Sequence, residues 1–306
     1  MPHPRPLPPD LLPVFTVADA VARGVSPGRL SRDDLRRPFF GVRAAGPVER
    51  ARDVHRLCAE YAPRLKPWQF FSHETALELV GAPLPEWPYR PVLHVSAHRP
   101  AREPRVGGVV GHRLQVREPA TWRDGDGLPV EHPVRAWRQA ATLWGLDDLV
   151  ATADFLVSGT NPLASIDELR AEVRQMGDTR AGMLRRALVL VRAGVRSPRE
   201  TKLRLRLARA GLPDPEVSWI LRDLGGRPVA ELDLAYPRWR VGVEYDGRVH
   251  SEDSAQFAKD ADRWDRIRAQ GWDHVRILNH HMRGSGQLAA RKVADALLRA
   301  GWRPAG

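Results

Sequence analysis

The chain has 306 residues, 42% of them hydrophobic, which is enough material for two or three domains with cores of their own. A single cysteine, Cys58, excludes an internal disulfide and a cysteine-based zinc cluster, and no stretch approaches the about 18 apolar residues of a membrane helix. Lys and Arg outnumber Asp and Glu by 48 to 37, with the excess in residues 1–120 and 197–306. A basic surface of this kind favours a polyanion, and nucleic acid is the commonest one in a reducing cytoplasm, which is the expected location.

The N-terminus is proline-rich and carries no secretion-signal pattern. In "TVADAVARGVSPGRLSRDDLRRPFFGVRAAG", Thr16 and Asp19 open a short helix that Gly24 ends, and Ser26 with Pro27 opens a second. With the strand-like "PFFGVR" after them, the order is that of a winged helix-turn-helix over residues 1–67. Arg29, Arg32, Arg36 and Arg37 would lie on or just past its second helix, in reach of DNA phosphates and base edges.

Residues 68–195 read as an α+β and then helical middle domain. "SHETALELVG" is a capped helix, "PVLHVSAH" and "GGVVGHRLQV" are strand candidates, and "PVRAWRQAATLWG" and "SIDELRAEVRQMG" are helices, the last with a Ser165–Glu168 capping box. His73, His94, His98, His112 and His132 fall here without the tight spacing of a metal-binding helix, so they read as scattered histidines.

Residues 196–306 form the third expected domain, an α/β unit with a mixed sheet between helices. A helix at 198–210 carries a Ser197–Glu200 capping box; strands follow near 217–222, 228–234 and 240–246, then a helix at 255–270, a strand at 273–278 and a helix at 286–300. In "RPVAELDLAYPRWRVGVEYDGRVH", two strands carry carboxylates where apolar residues belong. With an even number of loop residues between them, Asp233, Glu244 and Asp246 share one face. Two such charges ~4 Å apart repel by ~4 kcal/mol at an effective dielectric of ~20, so a divalent cation is the natural counterweight. Mg²⁺, or Mn²⁺, would take Asp233 and Glu244 as ligands and activate water against a phosphodiester. Glu200 can join from its helix, while His250, four residues past Asp246, is a candidate base. The plainer readings are a capping role for Glu200, a solvated Glu231, a turn at Asp246–Gly247 and a local Asp260–Arg263 ion pair.

The stretches "SPRETKLRLRLARAGLP", "ELDLAYPRWRVGVEYDGRVH" and "QFAKDADRWDRIRAQGWDHVRI" resemble a domain-of-unknown-function family related to the very short patch repair endonuclease, in the PD(D/E)XK nuclease superfamily. The resemblance covers about residues 196–285. It implies a restriction-endonuclease-like fold and Mg²⁺-dependent DNA cleavage, with Asp233 and Glu244 on the metal, Glu200 as the helix glutamate and His250 as a repair-enzyme-like histidine. Asp246 stands where the superfamily's E-x-K pattern has lysine, so the missing charge falls to Arg248, Lys202, His250 or a second metal. Arg204, Arg206 and Arg248 are the expected phosphate contacts of this domain.

More loosely, "VFTVADAVARGVSPGRL", "SHETALELVGAPLP" and "LPVEHPVRAWRQAA" resemble the AbiEi-type antitoxins of toxin–antitoxin systems. That resemblance implies a DNA-binding winged helix, with promoter DNA and a nucleotidyltransferase toxin as partners. Two functions therefore stand at this point. One is a metal-dependent DNA endonuclease with an N-terminal DNA-binding domain; the other is an antitoxin and transcriptional repressor whose nuclease-like domain is catalytically inactive.

Overall fold

A computed structural model describes residues 5–47, 53–86, 88–117, 121–247 and 254–304, with the side chains of 254–260 excepted. His250 and Arg248 lie outside the described residues. The fold is mixed α/β and divides into two compact units, Met1–Leu143 and Trp144–Gly306. Among the described residues no helix is long and apolar enough to cross a membrane.

The first unit opens with β1 (Val14–Thr16), α1 (Val17–Ala22), α2 (Pro27–Leu30), β2 (Leu35–Arg36) and β3 (Val42–Ala45), the strands forming an antiparallel sheet in the order β1-β3-β2. The caps are those the sequence calls for: Thr16 Oγ1 accepts from Asp19 N and Ser26 Oγ from Arg29 N. Phe15, Ala20, Val25, Leu30 and Leu35 make the small core. Two expectations fail locally. α2 is a single turn, and "PFFGVR" is mostly a turn, because Pro38 has no N–H to pair and Gly41 takes φ +75°.

The same unit continues with α3 (Val54–Tyr61), β4 (Gln69–Phe71), α4 (His73–Leu79), β5 (Leu93–His98), β6 (Val109–Leu114), β7 (Trp122–Arg123), β8 (Pro129–Val130) and α5 (Pro133–Ala140). These strands build a mixed sheet in the order β6-β5-β4-β8-β7. Ser72 does not cap α4 as its position suggests; its hydroxyl bonds His73 Nδ1 at 3.0 Å and Ser96 Oγ at 2.6 Å instead.

The second unit contains α6 (Leu146–Leu156), α7 (Ile166–Met176), α8 (Met183–Leu190), α9 (Pro198–Arg209), β9 (Glu216–Arg222), β10 (Pro228–Tyr236), β11 (Val241–Asp246), α10 (Ser254–Ala269), β12 (Asp273–Leu278) and α11 (Gln287–Arg299). The sheet order is β12-β11-β10-β9, antiparallel except for the parallel β11–β12 pair. Leu234, Tyr236, Val241, Val243, Val275 and Ile277 pack with Leu203 and Leu207 of α9 and Val293 and Leu297 of α11. The other cluster joins Leu221, Leu232 and Ala235 to Ile267 of α10 and to Trp272. Gly242 is required in this packing, since a Cβ there would fall 2.8 Å from Leu232 Cδ1.

Helices α6–α8 fall in the second compact unit, together with α9 and its sheet. Asp154, 1% exposed on α6, joins α6 to α9. It accepts from Arg204 Nη2 at 2.9 Å, Thr201 Oγ1 at 2.8 Å and Arg192 N at 2.7 Å. Around it, Lys202 Nζ lies 3.0 Å from Asp148, and Arg209 bonds Asp147. The interactions lock α9 onto α6.

Arg204 is thus a core residue, 1% exposed, and cannot meet phosphate. Asp154→Ala would leave its charge buried without a carboxylate, which costs about 3–5 kcal/mol, whereas an apolar double replacement such as Asp154→Leu with Arg204→Met would cost clearly less. Urea unfolding of the three proteins checks this order.

Candidate active site

The β10–β11 ladder runs through Tyr236↔Val241, Ala235↔Gly242 and Leu234↔Val243, and the same register places Asp233 opposite Glu244. The four residues 237–240 between the strands make the loop even, the condition under which Asp233 shares a face with Glu244. At Asp233 the ladder stops: Tyr245 N donates to its Oδ2 at 2.8 Å. A carboxylate has taken the place of a backbone carbonyl, and beyond it the strands part. The opening is a cleft of about 200 Å³ lined by Asp233, Glu244, Tyr245, Asp246, Gly247, Arg263, Trp264 and Arg276.

Glu200 approaches from the first turn of α9. Its N–H donates to Ser197 Oγ at 3.2 Å, but its carboxylate accepts from Arg196 N at 3.1 Å, so the expected capping box is completed one residue early. Glu200 and Glu244 are both 8% exposed. Burial first, and then the charges of Glu200 and Glu244, push the Asp233 carboxyl up to about 7, against the pull of Tyr245 N and Arg263. Glu244 behaves in the opposite way. Burial pushes it up, but His274 and Arg263 outweigh burial and hold it below its ordinary value.

These two cationic partners come from elements that flank β11. In the parallel β11–β12 register Gly242 faces His274 and Glu244 faces Arg276. His274 Nε2 lies 2.9 Å from Glu244 Oε2, and Arg263 of α10 donates to the same oxygen at 2.8 Å. Glu244 Oε1 is 2.5 Å from Arg263 Nη2, an ion contact, yet it is buried and accepts no hydrogen bond. Arg263 also donates to Glu231 O, so it serves the cleft, while the side chain of Asp260, its expected local partner, lies outside the described residues.

Asp246 is bound by Arg276, whose Nε donates to its Oδ2 at 2.9 Å and whose guanidinium sits 4.7 Å from the Trp264 ring centre. A cation therefore stands in the cleft beside Asp246, supplied by the neighbouring strand. Lys202, by contrast, is turned to Asp148. At the end of β11, Arg199 Nη1 donates to Tyr245 Oη at 2.7 Å and Asn279 Nδ2 to Gly247 O at 3.0 Å, which pins the strand that carries Glu244 and Asp246.

The donor set suits a hard divalent cation. Carboxylate oxygens converge on one cleft, and burial together with the charges of Glu200 and Glu244 pushes the Asp233 carboxyl up to about 7. Asp233 and Glu244 are the residues that would hold it.

The other expected contacts of the chain with nucleic acid are placed as follows. Arg206 donates to the carbonyls of Met282 and Gly284. Arg29 makes a two-pronged pair with Asp34, at 2.9 and 2.8 Å, and also donates to Arg5 O. Arg36 is held by Glu60 and Gly46 O, and Arg37 donates to Ser31 O. Arg32 is exposed. Arg29 and Arg36 are thus committed inside the protein, and the sequence showed only their helical positions, not their acidic partners.

His274, Arg263 and Arg276 are the site residues that sequence reasoning missed. The signal was present in "DHVRIL", where His274 and Arg276 alternate with Val275 and Ile277 on a strand next to the acidic one.

No family model matches the chain. Two uncharacterised proteins of Mycobacterium tuberculosis, from strains CDC 1551 and H37Rv, are each 32% identical to it over 96 residues, 31% of this chain. The match covers 35% of each of these relatives, so the chain spans about a third of their length. No solved structure matches.

The Asp233 shift has a definite sign. A carboxyl whose pKa is raised from 3.8 to about 7 favours folding most below pH 4, and that contribution is lost as pH rises through about 7. Asp233→Asn should remove this loss, so that urea stability between pH 5 and pH 8 falls less in the variant than in the parent. Mg²⁺ should raise the parent's melting temperature more at pH 8 than at pH 6, because protons compete for Asp233.

Proposed function

We propose that the chain is a metal-dependent phosphodiesterase acting on DNA, with its catalytic cleft at the parting of β10 and β11. The observation that carries this reading is the convergence of Glu200, Asp233 and Glu244, with the Asp233 carboxyl raised to about 7. A fold maintaining such repulsion has a cation as its natural complement. The order of helix α9, strands β9 to β11, helix α10 and strand β12 agrees with the restriction-endonuclease-like architecture that the sequence resemblance implies.

When bound, Mg²⁺ supplies Lewis-acid polarisation of the phosphodiester. The protein's own groups do the rest. Asp233 and Glu244 hold the ion, and His274 orients Glu244 through its Oε2. Arg276 and Arg263, at the cleft wall, offer guanidinium groups to phosphate oxygens as negative charge builds on them. Arg263 has a further role: while no divalent ion is held, its charge balances Glu244. Glu200, beside Asp233, is the carboxylate positioned to accept a proton, and His250 is the base that the family resemblance adds.

The antitoxin-like reading has one observation in its favour. Glu244 already carries two cationic partners, an arrangement that a dead binding platform would share. Its DNA contacts in the first unit would have to come from residues other than Arg29 and Arg36, which are paired internally.

A supercoiled-plasmid nicking assay with Mg²⁺ or Mn²⁺ separates the two. The nuclease reading expects metal-dependent nicking that drops at least 100-fold in Asp233→Ala and Glu244→Ala, and about tenfold or more in Arg276→Ala. No nicking, together with tight promoter binding that is indifferent to Asp233→Ala, would establish the repressor instead.

A further inference from the structure

Outside the acidic cleft, the sheet of the first unit brings together three histidines that lie far apart in sequence. His73 begins α4, His94 lies on β5 and His112 on β6. In the parallel β5–β6 ladder His94 faces Val110 and Ser96 faces His112, so His94 and His112 point to one side of the sheet. The three rings stack: centroids lie 3.7 Å apart for His73–His112, 4.9 Å for His94–His112 and 5.3 Å for His73–His94. Each ring offers one nitrogen, and the three nitrogens lie within 4.8 Å of one another. The reading of these residues as scattered histidines is therefore corrected, at least for this trio.

The surroundings prepare the trio for an electrophile. Glu74 is fully buried and accepts from Tyr89 Oη and from Val92 N, and its Oε1 lies 3.5 Å from His94 Nε2. A carboxylate behind one imidazole nitrogen holds the proton there and turns the other nitrogen, here Nδ1, toward the centre. His94 Nδ1 lies 2.7 Å from His112 Nε2, where one nitrogen must donate and the other accept. Ser72 Oγ sits 3.0 Å from His73 Nδ1 and is itself tied to Ser96. The His73 backbone, at φ +52°, is outside the region that a non-glycine residue ordinarily occupies, and its N–H is anchored by Gln139 Oε1 at 3.0 Å.

The geometry points to a zinc-class metal site formed by His73, His94 and His112, with Glu74 as the carboxylate that orients His94. Three neutral imidazoles select a late transition ion such as Zn²⁺ rather than Mg²⁺. Tetrahedral Zn–N bonds of ~2.0–2.1 Å set ligand nitrogens ~3.3 Å apart. His94 and His112 would open by ~0.6 Å from their hydrogen bond, and His73 would close in, which rotations of the rings can supply. The ion would tie α4, β5 and β6 together and leave a fourth position for water or an outside ligand. This site is chemically separate from the acidic cleft, and its existence does not depend on the nuclease reading.

The test uses the full chain, stripped with chelator, and Zn²⁺ alone as the probe in competition with a chromophoric indicator. One Zn²⁺ per chain is expected, with affinity at least tenfold weaker in His112→Ala and unchanged in Asp126→Asn, which removes a carboxylate from the exposed group of His55, Asp124 and Asp126. Co²⁺ in the unaltered chain should give the intense visible absorption of a tetrahedral site, a readout that needs no variant to fold. Asp233→Asn should leave both signals intact, which keeps this outcome distinct from any result at the acidic cleft. No stoichiometric Zn²⁺, weak octahedral-type Co²⁺ absorption, or binding lost in Asp126→Asn and kept in His112→Ala would each overturn the proposal.

Discussion

Mutual repulsion of buried carboxylates is the constraint around which the second unit is arranged. Glu200, Asp233 and Glu244 are brought near one another by a helix N-terminus and two antiparallel strands, and burial denies them the screening of water. The protein answers with directed partners rather than with distance. His274 and Arg263 hold the Glu244 carboxyl below its ordinary value, while burial and the neighbouring carboxylates push Asp233 up to about 7 against the hydrogen bond from Tyr245 N. Glu244 is thus a fixed anion and Asp233 an adjustable one.

A second buried charge, Asp154, determines the shape of the unit that holds this cleft. Arg204 belongs to the same helix as Glu200, and its tether to Asp154 fixes the helix against α6. The adjoining side of α9 carries Leu203 and Leu207 into the sheet core. Anchoring the helix in this way also fixes where its first turn, and so Glu200, meets the parting strands. Structural charge and site charge are therefore linked through a single twelve-residue helix.

Asp246 is balanced from a neighbouring element. Arg276 stands on the adjacent parallel strand, bonded to Asp246 and stacked against Trp264, and it brings a cation to the wall of the cleft. Arginine at such a position is a planar donor with several N–H groups, suited to a phosphate in more than one orientation. The arrangement explains how a carboxylate can occupy that position without raising the net negative charge of the cleft.

Local signals in the chain were enough for the elements of the second unit, because capping residues, turn glycines and alternation act over a few residues. Helix α9, the four strands and the two later helices all fall within a few residues of their expected limits, whereas the loop length that decides the face of Asp233 was left open by the sequence. What the chain could not disclose on its own was partner choice across elements. Arg204 and Arg29 read as surface cations because nothing local marks Asp154 or Asp34 as their mates, and His73, His94 and His112 read as scattered because stacking arises only once α4, β5 and β6 are packed. Periodicity is written in adjacent residues, whereas desolvation and charge pairing depend on which distant residues share a buried space, and only the tertiary structure decides that.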